Sequence, residues 1–137
     1  MNEPTRQQRH IEVFRTMARA WHEQQWRTCA DLFAPDGVLH SVMLEPITGR
    51  EAIFERISKL GGAHKKVTLR IQRVGTIDGA LFVERVDEIV NDGRRGECPV
   101  VGVLEFDDDD RILRWRDYYD RAQLARAAGY GTEQAHH

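Results

Sequence analysis

Apolar and polar positions follow two rhythms along this chain, and the switch between them divides it into elements. Over residues 5–28, Ile11, Phe14, Ala18 and Trp21 recur at three- and four-residue spacing, which predicts a long helix with one buried stripe. Thr5 and Gln8 have the spacing of a capping box at its start. Thr28 to Ala34 reads as a second, short helix with Leu32 and Phe33 toward the core, and Pro35-Asp36-Gly37 as a turn. Val38 to Leu44 predicts a strand, with Leu39, Ser41 and Met43 on one face and Val38, His40 and Val42 on the other. Thr48-Gly49-Arg50-Glu51 reads as a second capping box. It opens a helix with the core stripe Ile53, Ile57 and Leu60, ended by Gly61-Gly62.

From Lys66 the period falls to two. Four strands are expected over about 66–74, 81–91, 97–106 and 112–119. Asp78-Gly79, Asn91-Asp92-Gly93 and the run Asp107 to Asp110 supply the turns between them. The acidic run lacks the spacing of a calcium loop and reads as a solvated hairpin tip. Residues 121–128 predict a short helix stopped by Gly129, and Gln134 to His137 a frayed tail. The order makes an α+β class: a cone in which a curved, mostly antiparallel sheet and the helices over one face enclose an apolar pocket. The whole of 1–137 reads as one domain, with the tail from about residue 126.

Composition narrows the function. The chain has 137 residues, 41% hydrophobic and 31% charged, with a formal net charge of −2. That balance gives no electrostatic case for nucleic acid or an anionic membrane. No apolar run approaches the ~18 residues of a membrane span, and no apolar segment follows the N-terminus to make a secretory signal. A cytoplasmic location is expected, with Cys29 and Cys98 reduced and in no motif. The six histidines are scattered over separate elements, which argues against a metal site. His40 falls on the face opposite Leu39 and Ser41 and reads as structural. No phosphate loop and no nucleophile motif is present, so the candidate chemistry is acid–base work by carboxylates without a cofactor.

Two strands carry it. In one, Leu81, Val83, Arg85, Asp87 and Ile89 share a face; in the other, Leu113, Trp115, Asp117 and Tyr119 do, with Arg114 and Arg116 opposite. Charged groups on the apolar face of a strand need partners. Arg85 with Asp87 alone reads more readily as a surface ion pair, and Asp117 between Trp115 and Tyr119 brings the site reading level with it. The two strands are two inter-strand spacings apart, ~9.5 Å. That gap suits a guanidinium, whose fork bonds both carboxylates, or a water with a small substrate. Sharing one arginine in apolar surroundings separates the two carboxyls into one protonated and one ionised. A reaction that uses acid and base together, with no covalent intermediate, is the opening of a strained ring by water. Trp115, Tyr119 and the apolar lining would select a hydrophobic substrate.

Arg85-Val86-Asp87 and Trp115-Arg116-Asp117-Tyr118-Tyr119-Asp120, with Gly102-Val103-Leu104 and Gly49-Arg50, resemble the limonene-1,2-epoxide hydrolase family within the NTF2-like (SnoaL-like) cone fold. The resemblance covers roughly residues 5 to 125. It implies Asp87 as general acid toward the epoxide oxygen, Asp117 as general base on water, and Arg85 as the bridge. It further implies a small apolar epoxide and water as reactants, no cofactor, a homodimer, and a deep pocket lined by Leu39, Ser41, Val83, Ile89, Leu104, Trp115 and Tyr119. One departure stands out. The family holds the hydrolytic water with a tyrosine and an asparagine two residues apart on the first strand, and those positions fall at Leu39 and Ser41. Either Ser41 or Tyr119 holds the water, or the cone opens an epoxide with an internal nucleophile, as a cyclase. An isomerase or aldol cyclase of the SnoaL type, or a non-catalytic pocket protein, are the other expectations.

Overall fold

The computed structural model describes residues 3–129. Helix α1, Arg6–His22, starts from the expected capping box: Gln8 N donates to Thr5 Oγ1 at 3.1 Å and Thr5 N to Gln8 Oε1 at 2.7 Å. Its buried side is His10, Phe14, Met17, Ala20 and Trp21, so the stripe is rotated from the expected one, and Ile11 and Ala18 are only half-buried. The helix also ends six residues sooner than residue 28. Gln24 takes a positive φ of 58° and turns its side chain onto the loop after α3, donating to the Gly62 and Lys65 carbonyls and accepting from Gly62 N. No glycine or proline marks that break, which is why spacing alone missed it. Helix α2 is therefore Trp26–Asp31, not 28–34.

Strand β1, Phe33–Ser41, begins where a helix end and a turn were expected. Pro35-Asp36-Gly37 is an irregularity inside it, between the pairs Phe33–Ile112 and Val38–Arg114. Because β1 stops at Ser41, Met43 is 45% exposed rather than on the inner face. Strand β2, Ile47–Thr48, pairs back on β1 and leads into α3, Arg50–Ser58. The second capping box does not form. The N-cap is Gly49 at φ 98°, and Arg50 instead turns its guanidinium onto the Phe33 carbonyl.

The meander follows as expected: β3 Lys65–Ile77, β4 Ala80–Asn91, β5 Arg94–Phe106 and β6 Ile112–Tyr118, closed by α4, Arg121–Ala128. Asp78-Gly79 and Asp92-Gly93 each place two positive φ values in a two-residue hairpin loop, the mirror-image turn whose twist matches the strands. The six-stranded sheet has the order β2-β1-β6-β5-β4-β3, antiparallel except where β1 runs parallel to β6. Register shifts near Gln72 and Leu113 bend it. The second shift moves a residue expected on the inner face: Leu113 is 39% exposed, and Ile112 is buried in its place. The helices α1, α3 and α4 cover the concave side, where Phe14, Met17, Trp21, Ile53, Ile57 and Trp115 form the core.

Asp120 caps α4 by accepting from Gln123 N at 2.9 Å, and Gly129 ends it at φ 78°. Of the tail expected from about residue 126, residues 126–128 belong to α4 instead, and 130–137, with Gln134 to His137, lie outside the described residues. The acidic tip is tied down rather than solvated throughout: Asp107 accepts from the backbone of Asp109 and Arg111, and Asp110 pairs with Arg9 and His10 on α1. Among the described residues no helix is long and apolar enough to cross a membrane.

Candidate active site

The alternation of β4 places Val83, Arg85, Asp87 and Ile89 on the concave face, and all are buried. Asp117 stands on β6 with β5 between them. Arg85 spans that gap as the two-strand separation requires. Its Nε and Nη2 donate to Asp87 at 2.7 and 3.2 Å, and its Nη1 and Nη2 donate to Asp117 at 2.9 and 2.6 Å. The three side chains are 0%, 0% and 3% exposed. The two carboxylates raise the already high Arg85 pKa against the opposing effect of burial, the largest single influence on it. Phe14 and Trp115 flank the guanidinium with ring centroids 5.9 and 5.5 Å from Cζ.

The crossing depends on Gly102. This residue pairs with Val83 on one side and Asp117 on the other, directly beneath the reaching arginine. A Cβ there would lie 2.8 Å from Arg85 Nη1 and 3.0 Å from Asp117 Oδ1. The sequence showed Gly102 as part of the family pattern and as a glycine in a strand, where a close approach is one of several meanings. A second contact was also missed: the Trp115 indole donates to Asp117 Oδ1 at 2.6 Å. Trp115 was expected only as pocket lining. Its place two residues before Asp117 on the same face was the available signal.

The other expected lining residues converge on the same interior. Leu39 pairs with Trp115 and Ser41 with Asp117 across the parallel β1–β6 ladder, and both are buried. Leu104 pairs with Trp115 from β5 and is fully buried, as is Val83. Tyr119 is half-buried. Burial is the main cause that pushes its phenol pKa up, opposed by a hydrogen bond with Ser41. Ser41 and Tyr119 are thus the polar groups beside Asp117, and Leu39 offers a hydrocarbon surface. His40 is on the other face, its Nε2 3.0 Å from the Leu44 carbonyl oxygen. Cys98 pairs with Asp87, but burial holds its thiol up at about 11. Cys29, also buried, is pushed up to about 12. Neither thiol is therefore an activated nucleophile. Among the described residues no group of three or more His, Cys, Asp and Glu is placed to hold a metal ion. Beside the triad Trp115 packs edge-on against Phe14 and Trp21, both at 5.4 Å between centroids.

Two buried carboxylates on one guanidinium leave one negative charge uncompensated. An isolated buried charge costs several kcal/mol, whereas one proton shared by the cluster removes it. The arrangement is therefore suited to hold one acid and one base side by side.

The fold is of the NTF2-like type and the site is a buried carboxylate–arginine–carboxylate set. The sequence pattern of the limonene-1,2-epoxide hydrolase (LEH) catalytic domain matches residues 7–129, and the chain belongs to that family. Epoxide hydrolase EphG of Mycobacterium tuberculosis is 31% identical over 86 residues, a stretch that spans 53% of this chain and 57% of that protein. Among solved structures, an M. tuberculosis LEH-like epoxide hydrolase superposes with a TM-score of 0.78 at 24% identity, covering 90% of this chain and 91% of the other. A hypothetical protein from Catenulispora acidiphila with a ketosteroid isomerase-like fold gives 0.77 at 21% identity, covering 89% and 95%.

Proposed function

We propose that this protein is an epoxide hydrolase that adds water to an apolar epoxide in one acid–base step, giving a vicinal diol without a cofactor. The observation that carries the reading is the fully buried Arg85 bonded to both Asp87 and Asp117. The Trp115 indole donates to Asp117 beside the two donors of Arg85, which supports Asp117 as the seat of the negative charge. Asp87, held by Arg85 Nε and Nη2, takes the proton. Asp117 then removes a proton from water as the water attacks an epoxide carbon, and Asp87 gives its proton to the ring oxygen as the C–O bond breaks. Arg85 holds the two groups in register and stays charged throughout. Family membership and the likeness to EphG support the reaction class.

Ser41 and Tyr119, beside Asp117, are the groups placed to hold the water. Leu39 supports a second reading, because its side chain cannot hydrogen-bond water: an epoxide opened by its own hydroxyl, as in a cyclase.

The test is diol formation from cyclic and aryl apolar epoxides by wild type and Asp117→Asn. The variant is expected to fold, since Asp87 still balances the buried guanidinium, and to lose about 10²-fold or more in turnover. Turnover near wild type in the folded variant would refute Asp117 as base. Absence of diol from wild type, with cyclic ether formed from an epoxide carrying an internal hydroxyl, would establish the second reading.

A further inference from the structure

The chain holds three lysines among its twenty Lys and Arg residues, and all three line one opening. Lys59 follows α3, and Lys65 and Lys66 begin β3. Between them lies a cavity of about 60 Å³ whose other walls include Leu60, Val67, Ile89, Leu124 and Ala128. By contrast, Arg73, Arg95 and Arg70 on the neighbouring strands are ion-paired, with Glu84, Glu88 and Glu97. Among the described residues no carboxylate pairs with any of the three lysines. A wider groove alongside, of about 560 Å³, is lined by Lys65 and Lys66 again, with His64 and one carboxylate, Asp92. The positive charge at this mouth is thus left available.

The strand face that floors the cavity continues to the triad. Ile89 lies two residues from Asp87 on the same face of β4, and Val67 and Leu69 are their partners on β3. Helix α4 roofs this row. A Cβ at Gly96, the partner of Ile89 on β5, would strike the Ala127 backbone, and Leu124 and Ala128 close the cavity from above. Lys65 pairs with Asn91, four residues outward from Asp87 on the same face, which is about 13 Å along the strand.

We infer that this mouth selects an epoxide whose apolar body ends in an anion, a carboxylate or a phosphate, held by Lys59, Lys65 and Lys66. The epoxide rests on the hydrolase reading above; the anion rests on the lysines alone. An apolar spacer of roughly eight to ten carbons spans the ~13 Å from Asp87 to the rim. Lysine is a point charge that binds either anion without the bidentate geometry arginine imposes. Exposed charge pairs are each worth a few-fold, so three together give about tenfold.

The experiment compares an epoxyundecanoic acid bearing a terminal epoxide, its methyl ester and the corresponding epoxyundecyl phosphate as substrates. At low salt the acid, the phosphate or both are expected to exceed the ester by about tenfold in kcat/KM. That advantage should shrink as salt rises and fall toward unity in Lys59→Gln/Lys65→Gln/Lys66→Gln. Preference for one anion over the other identifies which end group the mouth takes. Equal kcat/KM for acid and ester, or the same proportional loss on both in the lysine variant and in Lys66→Gln alone, overturns the inference and leaves the hydrolase reading standing. If no compound is turned over, the hydrolase reading fails, and binding of undecanoic acid against its methyl ester decides the anion separately. A salt-sensitive, lysine-dependent preference for the acid upholds it, and equal binding overturns it.

Discussion

Gly102→Ala adds one methyl group at the point where Arg85 crosses β5 to reach Asp117. The new carbon would meet Arg85 Nη1 at 2.8 Å, Asp117 Oδ1 at 3.0 Å and Trp115 Nε1 at 3.2 Å. These three atoms are the members of two bonds, Nη1 to Oδ1 at 2.9 Å and Nε1 to Oδ1 at 2.6 Å. The arginine cannot swing away cheaply, because its Nε and Nη2 are also committed and the side chain is fully buried. Restoring ordinary van der Waals separation moves Nη1 by about 1 Å, enough to break its bond to Asp117. Losing one charge-assisted hydrogen bond costs ~1.5–3 kcal/mol, and overpacking adds ~1–3 kcal/mol. A total of about 4 kcal/mol corresponds to a fall in Tm of roughly 14 °C for a domain of this size. A displacement of ~1 Å in the acid–base geometry further lowers turnover by about 10²-fold. Thermal unfolding and diol formation measure the two effects. Gly75→Ala is the control, since a Cβ there meets nothing within 4 Å. If Gly102→Ala unfolds and turns over like Gly75→Ala, the crossing over Gly102 is not what holds the site together.

Two further outcomes follow from the same contacts. Trp115→Phe removes the indole donor from Asp117, which destabilises its ionised form and raises its pKa, so the acid limb of the kcat/KM profile should move to higher pH; an unmoved limb would show that the indole does not tune the base. His10, stacked on Phe106 at 3.8 Å and bonded to Asp110, has its pKa lowered chiefly by burial, with Asp110 opposing. The folded state therefore binds this proton less readily than the unfolded chain. Its contribution to stability is complete above about pH 6.5 and is lost as pH falls through the lower folded value. Denaturant unfolding at a series of pH values should show that loss in wild type and not in His10→Gln. An equal decline in both would place the acid sensitivity elsewhere.

The local elements were legible in the sequence because their causes are local. Thr5 and Gln8 are a turn apart and cap α1 with no help from the rest of the chain. Asp78-Gly79 and Asp92-Gly93 supply the positive φ values their hairpins need. Alternation along β4 put Arg85 and Asp87 on one face, and strand counting set the gap to Asp117 at a guanidinium's reach. The triad residues were therefore readable, and with them the family. Where the reading failed, a distant contact had overruled a local preference. Gln24 breaks α1 because it bonds to Gly62 and Lys65, some forty residues on. Leu113 turns outward because β6 carries an extra residue against β5, and a one-residue slip reverses every face beyond it.

By itself, then, the sequence determined which side chains share a strand face, which turns close the hairpins, and that an arginine stands within reach of two carboxylates. Spacing along a strand fixes orientation, and an unpaired charge on an apolar face demands a partner. Only the tertiary structure decided how they meet. It laid β1 parallel to β6, so that Leu39 and Ser41 stand against Trp115 and Asp117. It also ran Arg85 over Gly102, aimed the Trp115 indole at Asp117, and gathered Lys59, Lys65 and Lys66 at one mouth. Those contacts join residues far apart in the chain, and their existence depends on register, bulges and helix packing that no short stretch of sequence contains.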